Sequence, residues 1–188
     1  MTFHMISTLN FLRSNAARFL FLATVLTQLS AQAESRFEED FSDTEKPWQE
    51  IAVQLPKLSD KMVLLPFDVS ATATQSFAIA PDSLTLGDDG VIRYVLVAVS
   101  ASGAKSVSYE GLRCATLEKK LYAFGRQDGS WSRSRRDQWE PISGNAANRQ
   151  HAALAQDVFC DGKTVAGKPT DMIARLKSGK SLNDHRLQ

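Results

Sequence analysis

Val91-Ile92-Arg93-Tyr94-Val95-Leu96-Val97-Ala98-Val99 follows the turn Gly87-Asp88-Asp89-Gly90, and that turn follows Ser83-Leu84-Thr85-Leu86. The later stretch is rich in β-branched side chains and almost wholly apolar, so it reads as a strand. It lacks the polar alternation of a half-exposed strand, which places it at the centre of a sheet with both faces buried. The glycine-rich turn joins it to 83–86 as a hairpin.

Outward from that hairpin, Ser102-Gly103 turns the chain into 105–114, where Val107, Tyr109 and Leu112 stand among polar neighbours. Residues 118–126 form a further strand, with Leu121 and Ala123 set against Tyr122 and Phe124, ending at Asp128-Gly129. On the other side, 67–70 and 76–80 are short strand candidates, and Pro47, Pro56 and Pro66 keep 47–67 extended. Short turns between successive strands favour a meander. Beyond the sheet, 148–159 places His151, Leu154, Ala155 and Val158 on one helical face, with Gly162 as a stop. Thr170 caps a shorter helix that runs to about Lys177, with Asp171 early and Arg175 and Lys177 late. The expected fold is α+β: a single domain over 51–178, with an antiparallel meander of about five strands. One helix packs on a face of the sheet, a short helix ends the domain, and 179–188 is a flexible tail.

The N-terminus has the three parts of a secretory signal. Arg13 and Arg18 precede the apolar run 19–29, and Ala31-Gln32-Ala33 is a small-x-small cleavage site. No Asp or Glu occurs before Glu34. The apolar run spans only about 16 Å as a helix, whereas a bilayer core needs about 30 Å, so residues 1–33 read as a cleaved signal peptide rather than an anchor. No cysteine lies near the cut, so the product is not a lipoprotein and has no transmembrane segment; the expected location is the periplasm. Removing Arg13 and Arg18 from 22 basic residues leaves 20 against 21 acidic ones. Such near-neutrality gives no general attraction to nucleic acid or an anionic membrane.

Residues 34–50 hold Glu34, Glu38, Glu39, Asp40, Asp43, Glu45 and Glu50 against Arg36 and Lys46, a loosely ordered acidic arm that Phe37, Phe41 and Trp48 can dock. Cys114 and Cys160 are the two cysteines. In an oxidising compartment an even count argues for one structural disulfide. A redox role needs a closer partner, as in Cys-x-x-Cys, and no histidines accompany the pair as zinc would require.

With these segments in view, the chain resembles a family of small exported proteobacterial proteins named after a cryptic neisserial protein. The strings that carry the likeness are Leu64-Leu65-Pro66-Phe67, Ser83-Leu84-Thr85-Leu86-Gly87, Val91-Ile92-Arg93-Tyr94, Ser108-Tyr109-Glu110-Gly111-Leu112-Arg113-Cys114, Tyr122-Ala123-Phe124-Gly125-Arg126 and Asn148-Arg149-Gln150-His151 onward to Cys160. The resemblance runs from about Trp48 to Cys160 and implies export and a shared fold. It implies no activity.

Candidate chemistry is sparse, and no cofactor or metal is expected. Ser102-Gly103-Ala104-Lys105 has the Ser-x-x-Lys spacing of acyl enzymes, but it falls in a hairpin turn where those need a helix start. Gly179-Lys180-Ser181 has the end of a phosphate loop without its first glycine. His151 on an apolar face reads as a packed histidine bonded to a carbonyl, and His185 lies in the tail. Glu110 reads as the partner of an arginine, with Arg113 close by. The segment 126–139 is the strongest surface: Arg126, Arg133, Arg135 and Arg136 against Asp128 and Asp137, interleaved with Trp131 and Trp139. Arginine forks grip phosphate or carboxylate, and tryptophan stacks on rings. It is either a ligand contact or a polar loop whose tryptophans cover the sheet edge, and the acidic arm is an internal partner for it.

The leading expectation is a non-catalytic envelope module that binds an anionic ligand or an envelope protein through 126–139. The alternatives are a periplasmic hydrolase of cell-wall or glycan material using Glu110 or His151, and an accessory partner of an outer-membrane assembly. N-terminal sequencing of the protein recovered from an envelope fraction should begin at Glu34; an intact Met1 there would end the export reading.

Overall fold

The computed structural model describes residues 47–59, 61–143, 145 and 149–186. The segment 1–33 and the arm up to residue 46 lie outside the described residues. The strands in chain order are β1 (Leu65–Phe67), β2 (Gln75–Leu86), β3 (Val91–Ser100), β4 (Lys105–Arg113), β5 (Glu118–Gly125), β6 (Trp131–Arg133) and β7 (Glu140–Pro141). They form one sheet of seven strands in the order β1-β2-β3-β4-β5-β6, with β7 pairing β5 beside β6, every pair antiparallel. The meander is as expected, but the strand count exceeds five. The additions are β6 and β7, strands of three and two residues that both pair β5, too short for a period-2 pattern to register.

Two expected strands, 76–80 and 83–86, are one strand with an irregularity between Ala80 and Thr85. Pro81 has no N–H for the ladder, which confines it to such a break. Ser83 repairs the gap: its hydroxyl donates to the Ala80 carbonyl at 2.6 Å and accepts the Val95 N–H at 2.8 Å. The strand expected at 67–70 lies slightly earlier, as β1.

β3 is buried on both faces. On one, Ile92, Tyr94 and Leu96 join Ile79, Leu84 and Leu112 against the helical segments. On the other, Val95 and Val97 join Ala80, Tyr109 and Tyr122 beneath Val53, Leu55, Met62 and Leu64 of the extended stretch before β1. The part from Trp48 onward is one compact unit.

The first helix, α1, begins as an α-helix at Arg149–Ala153 and continues as a π-helix over Leu154–Phe159. The expected face of His151, Leu154, Ala155 and Val158 is buried as predicted. The change of pitch was not expected. The wider turn bonds the Cys160 N–H to the Ala155 carbonyl. The carbonyls left at its end are taken up from outside: Arg175 donates to Val158, and the Ala166 N–H donates to Phe159 at 2.8 Å. A small ribbon follows, β8 (Cys160–Asp161) with β9 (Thr164–Val165).

The second helix, α2 (Pro169–Ser178), starts one residue before the expected cap: Lys168 is the N-cap and Pro169 the first helical residue. Asp171 reaches back to the Lys168 N–H at 2.8 Å. Met172 and Leu176 of α2 enter the same core cluster as α1, so two helical segments cover that face where one was expected. In the tail, Leu182–Arg186 form a 3-10 turn, and Ser181 and Asn183 both bond Asp157.

Cys114, just after β4, is bridged to Cys160 at the end of α1, with Cα atoms 5.6 Å apart. The bridge ties the helical layer to the middle of the sheet and removes about 4 kcal/mol of loop entropy from the unfolded chain. Replacing both cysteines with serine should therefore lower the unfolding free energy by about 4 kcal/mol in urea titrations. An unchanged midpoint would show that the bridge contributes nothing.

Candidate functional site

Strand alternation divides the polar residues of the sheet between its two faces. Glu110, on the helix-covered face, accepts from Ser108 Oγ at 2.7 Å and meets His151 Nε2 of α1 at 2.8 Å. Tyr94 OH stands 3.5 Å from the same carboxylate. Glu110 and His151 are buried, at 8% and 5% exposed. Burial pushes the Glu110 carboxyl up, but the His151 contact, the Ser108 hydroxyl and the charge of Lys119 outweigh it and hold the acid below its ordinary value. Burial and the neighbouring Glu110 keep the Tyr94 phenol protonated well beyond its usual range.

This corrects two expectations. The partner of His151 is a carboxylate, not a carbonyl, and the partner of Glu110 is that histidine, not an arginine. Arg113 is three residues along β4 and therefore faces the other side. There it lies over the Trp48 ring, 3.8 Å from its centroid, and within 3.9 Å of Glu118. The sequence had named Glu110 and His151 separately; the tertiary fold pairs them, as a clamp of helix on sheet.

The opposite face carries a larger network that the sequence reading missed. Arg93 grips Asp89 through two bonds of 3.1 and 2.6 Å and approaches Glu50 at 3.7 Å. Glu50 accepts from Tyr122 OH at 2.6 Å, Lys120 at 2.8 Å and the Trp139 indole at 3.3 Å. Lys120 also reaches Asp137 at 2.7 Å, and Trp48 donates to the Asp89 carbonyl at 2.8 Å. The Arg93 pair lowers the Asp89 pKa despite burial, while Asp137 and Glu50 raise that of Lys120. Burial and the Glu50 bond raise the Tyr122 phenol. Gly111 makes room: a Cβ there would stand 2.5 Å from Tyr122 OH. The available signal was Arg93 itself, an arginine in the middle of an otherwise apolar buried strand, which requires a partner.

The network anchors the end of the arm and part of the 126–139 segment. Trp139 meets Trp48 edge-on at 5.8 Å. Trp131 packs on Tyr109 and donates to the Pro56 carbonyl at 2.7 Å. Both tryptophans are thus committed to holding the 48–64 strap. The arginines are not: Arg133, Arg135 and Arg136 are exposed. With Leu121 and Phe124 they line a shallow groove of about 350 Å³. Arg136 approaches Glu140 at 3.6 Å, and Arg126 bonds Ser132 at 3.3 Å. Among the described residues, no hydrogen bond or ion pair engages the side chain of Arg133 or Arg135.

The remaining motifs carry no chemistry. Ser102 sits in the β3–β4 turn with its hydroxyl 2.9 Å from that of Ser100. Gly179 is the left-handed C-cap of α2, and Ser181 is bonded to Asp157. Among the described residues, no group of three or more His, Cys, Asp or Glu could hold a metal, and no helix is long and apolar enough to cross a membrane.

Fold and sites together define a mostly-sheet α+β domain stapled by a disulfide, with a buried Glu–His clamp on one face and a charged network on the other. The chain belongs to the CNP1-like family, whose model matches residues 43–177 and so spans both polar clusters and the arginine groove. It is similar to Cryptic neisserial protein 1 of Neisseria gonorrhoeae (strain ATCC 700825 / FA 1090), at 27% identity over 176 residues, covering 83% of this chain and 85% of that protein. No solved structure matches the chain.

Because Glu110 is held below its ordinary value, its stabilisation is present above the unfolded carboxylate value of 4.5 and is lost as pH falls through the lower folded value. Glu110→Gln should therefore flatten the acid limb of a melting-temperature profile; an acid limb identical to that of the native chain would show that the pair does not set it. Glu50→Ala leaves Lys120 and Tyr122 without their shared acceptor and should cost about 2 kcal/mol or more in denaturant unfolding.

Proposed function

We propose that this chain is exported by a cleaved signal peptide, residues 1–33, and acts in the bacterial periplasm as a non-catalytic binding module of the cell envelope. Its contact is the 126–139 segment, where Arg133, Arg135 and Arg136 receive an anionic ligand or the acidic surface of an envelope protein. The export reading is supported by the order of charged, apolar and small-residue regions at the N-terminus and by the Cys114–Cys160 bridge, which suits an oxidising compartment.

The observation that carries the binding reading is the pair Arg133 and Arg135. The half-buried charges near this edge of the sheet, Glu118, Lys119, Lys120 and Glu140, all have partners, whereas the exposed side chains of these two have none among the described residues. A planar guanidinium is a bidentate donor for phosphate or carboxylate. Hydrolysis by Glu110 or His151 is not favoured, because both are buried between α1 and the sheet.

Alanine at Arg133, Arg135 and Arg136 together should abolish binding of the mature, oxidised protein to isolated envelope fractions. These side chains are exposed, so the melting temperature should shift by no more than about 2 °C. Retained binding by the triple variant would end the proposal.

A further inference from the structure

We infer that the groove between β5 and β6 takes a single amphiphilic anion, with a phosphate, sulfate or carboxylate head on Arg133 and Arg135 and an aromatic or short acyl body on Phe124 and Leu121. This rests on the anion-binding reading above and specifies its ligand.

The apolar half of the groove follows from where the helices stop. The core cluster beneath α1 and α2 draws its buried sheet residues from β2, β3 and β4, with Leu65 and Phe67 of β1 packed against it, and none from β5. Phe124, which pairs with Ser108 on β4, belongs to the same face but lies beyond that cover and is 49% exposed. A single exposed aromatic is ordinary in itself. Here Phe124 and Leu121 line the same groove as Arg135, Arg136 and Arg133, the last of which pairs with Ala123 and so enters the groove around the edge strand β6 rather than from the face of Phe124. A purely inorganic anion leaves the ring in water, and a neutral apolar ligand leaves the guanidinium groups unmatched. A molecule with both parts satisfies each.

The occupant is one free molecule rather than a bilayer. The groove of about 350 Å³ holds part of a single ligand. Its surroundings are only weakly cationic, with Arg126, Arg133, Arg135 and Arg136 offset by Asp128 and Asp137. The chain after residue 33 is close to neutral, so long-range attraction to an anionic membrane is small.

The test titrates the mature, oxidised protein calorimetrically with three probes: monomeric octyl phosphate, inorganic phosphate and octyl glucoside. Octyl phosphate should bind at least about tenfold more tightly than either of the others. Phe124→Ser, at an exposed position, should keep the native melting temperature and bring octyl phosphate down to the level of inorganic phosphate. Arg133→Gln with Arg135→Gln should lose both phosphates. Equal binding of the two phosphates, unaltered by Phe124→Ser, would overturn the amphiphile and leave the anion site standing. Undiminished octyl phosphate binding by the arginine variant would overturn both readings. Co-sedimentation with phosphatidylglycerol vesicles, without binding of monomeric octyl phosphate, would overturn the inference in favour of a bilayer surface.

Discussion

A strand that is apolar along its whole length has to be covered twice, and β3 sets this requirement for the rest of the chain. One cover is the helical layer, whose Leu154, Val158, Phe159, Met172 and Leu176 meet Ile92, Tyr94 and Leu96. The other is an extended strap of irregular chain whose Val53, Leu55 and Met62 meet Val95 and Val97. A helix brings its own hydrogen bonds, but a strap does not. It has to be held by side chains, and that need accounts for the polar residues on its side of the sheet. Trp131 bonds the Pro56 carbonyl, Asp89 takes the Ile51 N–H at 3.0 Å, and Glu50 enters the network of Arg93, Lys120, Tyr122 and Trp139.

The two buried polar clusters therefore have comparable roles on opposite faces. Glu110 with His151 fixes α1 to the sheet, and Glu50 with Arg93, Lys120 and Tyr122 fixes the strap. A buried ion pair gives little net stability compared with good apolar packing, but removing one partner is costly. Such pairs specify where a cover sits more than how strongly it adheres. The disulfide does similar work from the end of α1, beside Phe159, where the helix has widened to a π turn. Among the described residues, the side chains of Arg133 and Arg135 at the β5–β6 edge take part in neither cluster.

The sheet is largely legible in the sequence. The hairpin, the meander order, the buried face of α1 and the cysteine pair followed from local patterns: strand period, glycine turns, helical spacing and an even cysteine count. The end strands were not legible, because β6 and β7 exist only by pairing with β5, and neither has enough residues to show a pattern. The π turn was also hidden, since its residues keep the helical spacing of apolar positions and its carbonyls are satisfied from outside the helix, by Arg175 and Ala166.

For the candidate site the division is sharper. Composition alone showed that Arg133, Arg135 and Arg136 cluster with tryptophans, and that Glu110 and His151 were the polar residues to explain. It gave no means to see that the tryptophans serve the strap, that Glu110 and His151 meet 41 residues apart, or that Glu50 reaches across to Tyr122 at a separation of 72. Residue type and local spacing determine what each segment can do by itself: pair as a strand, coil as a helix, carry charge or cross-link. Which side chains become partners depends on β3 bringing distant segments to its two faces, and only the assembled sheet decides that.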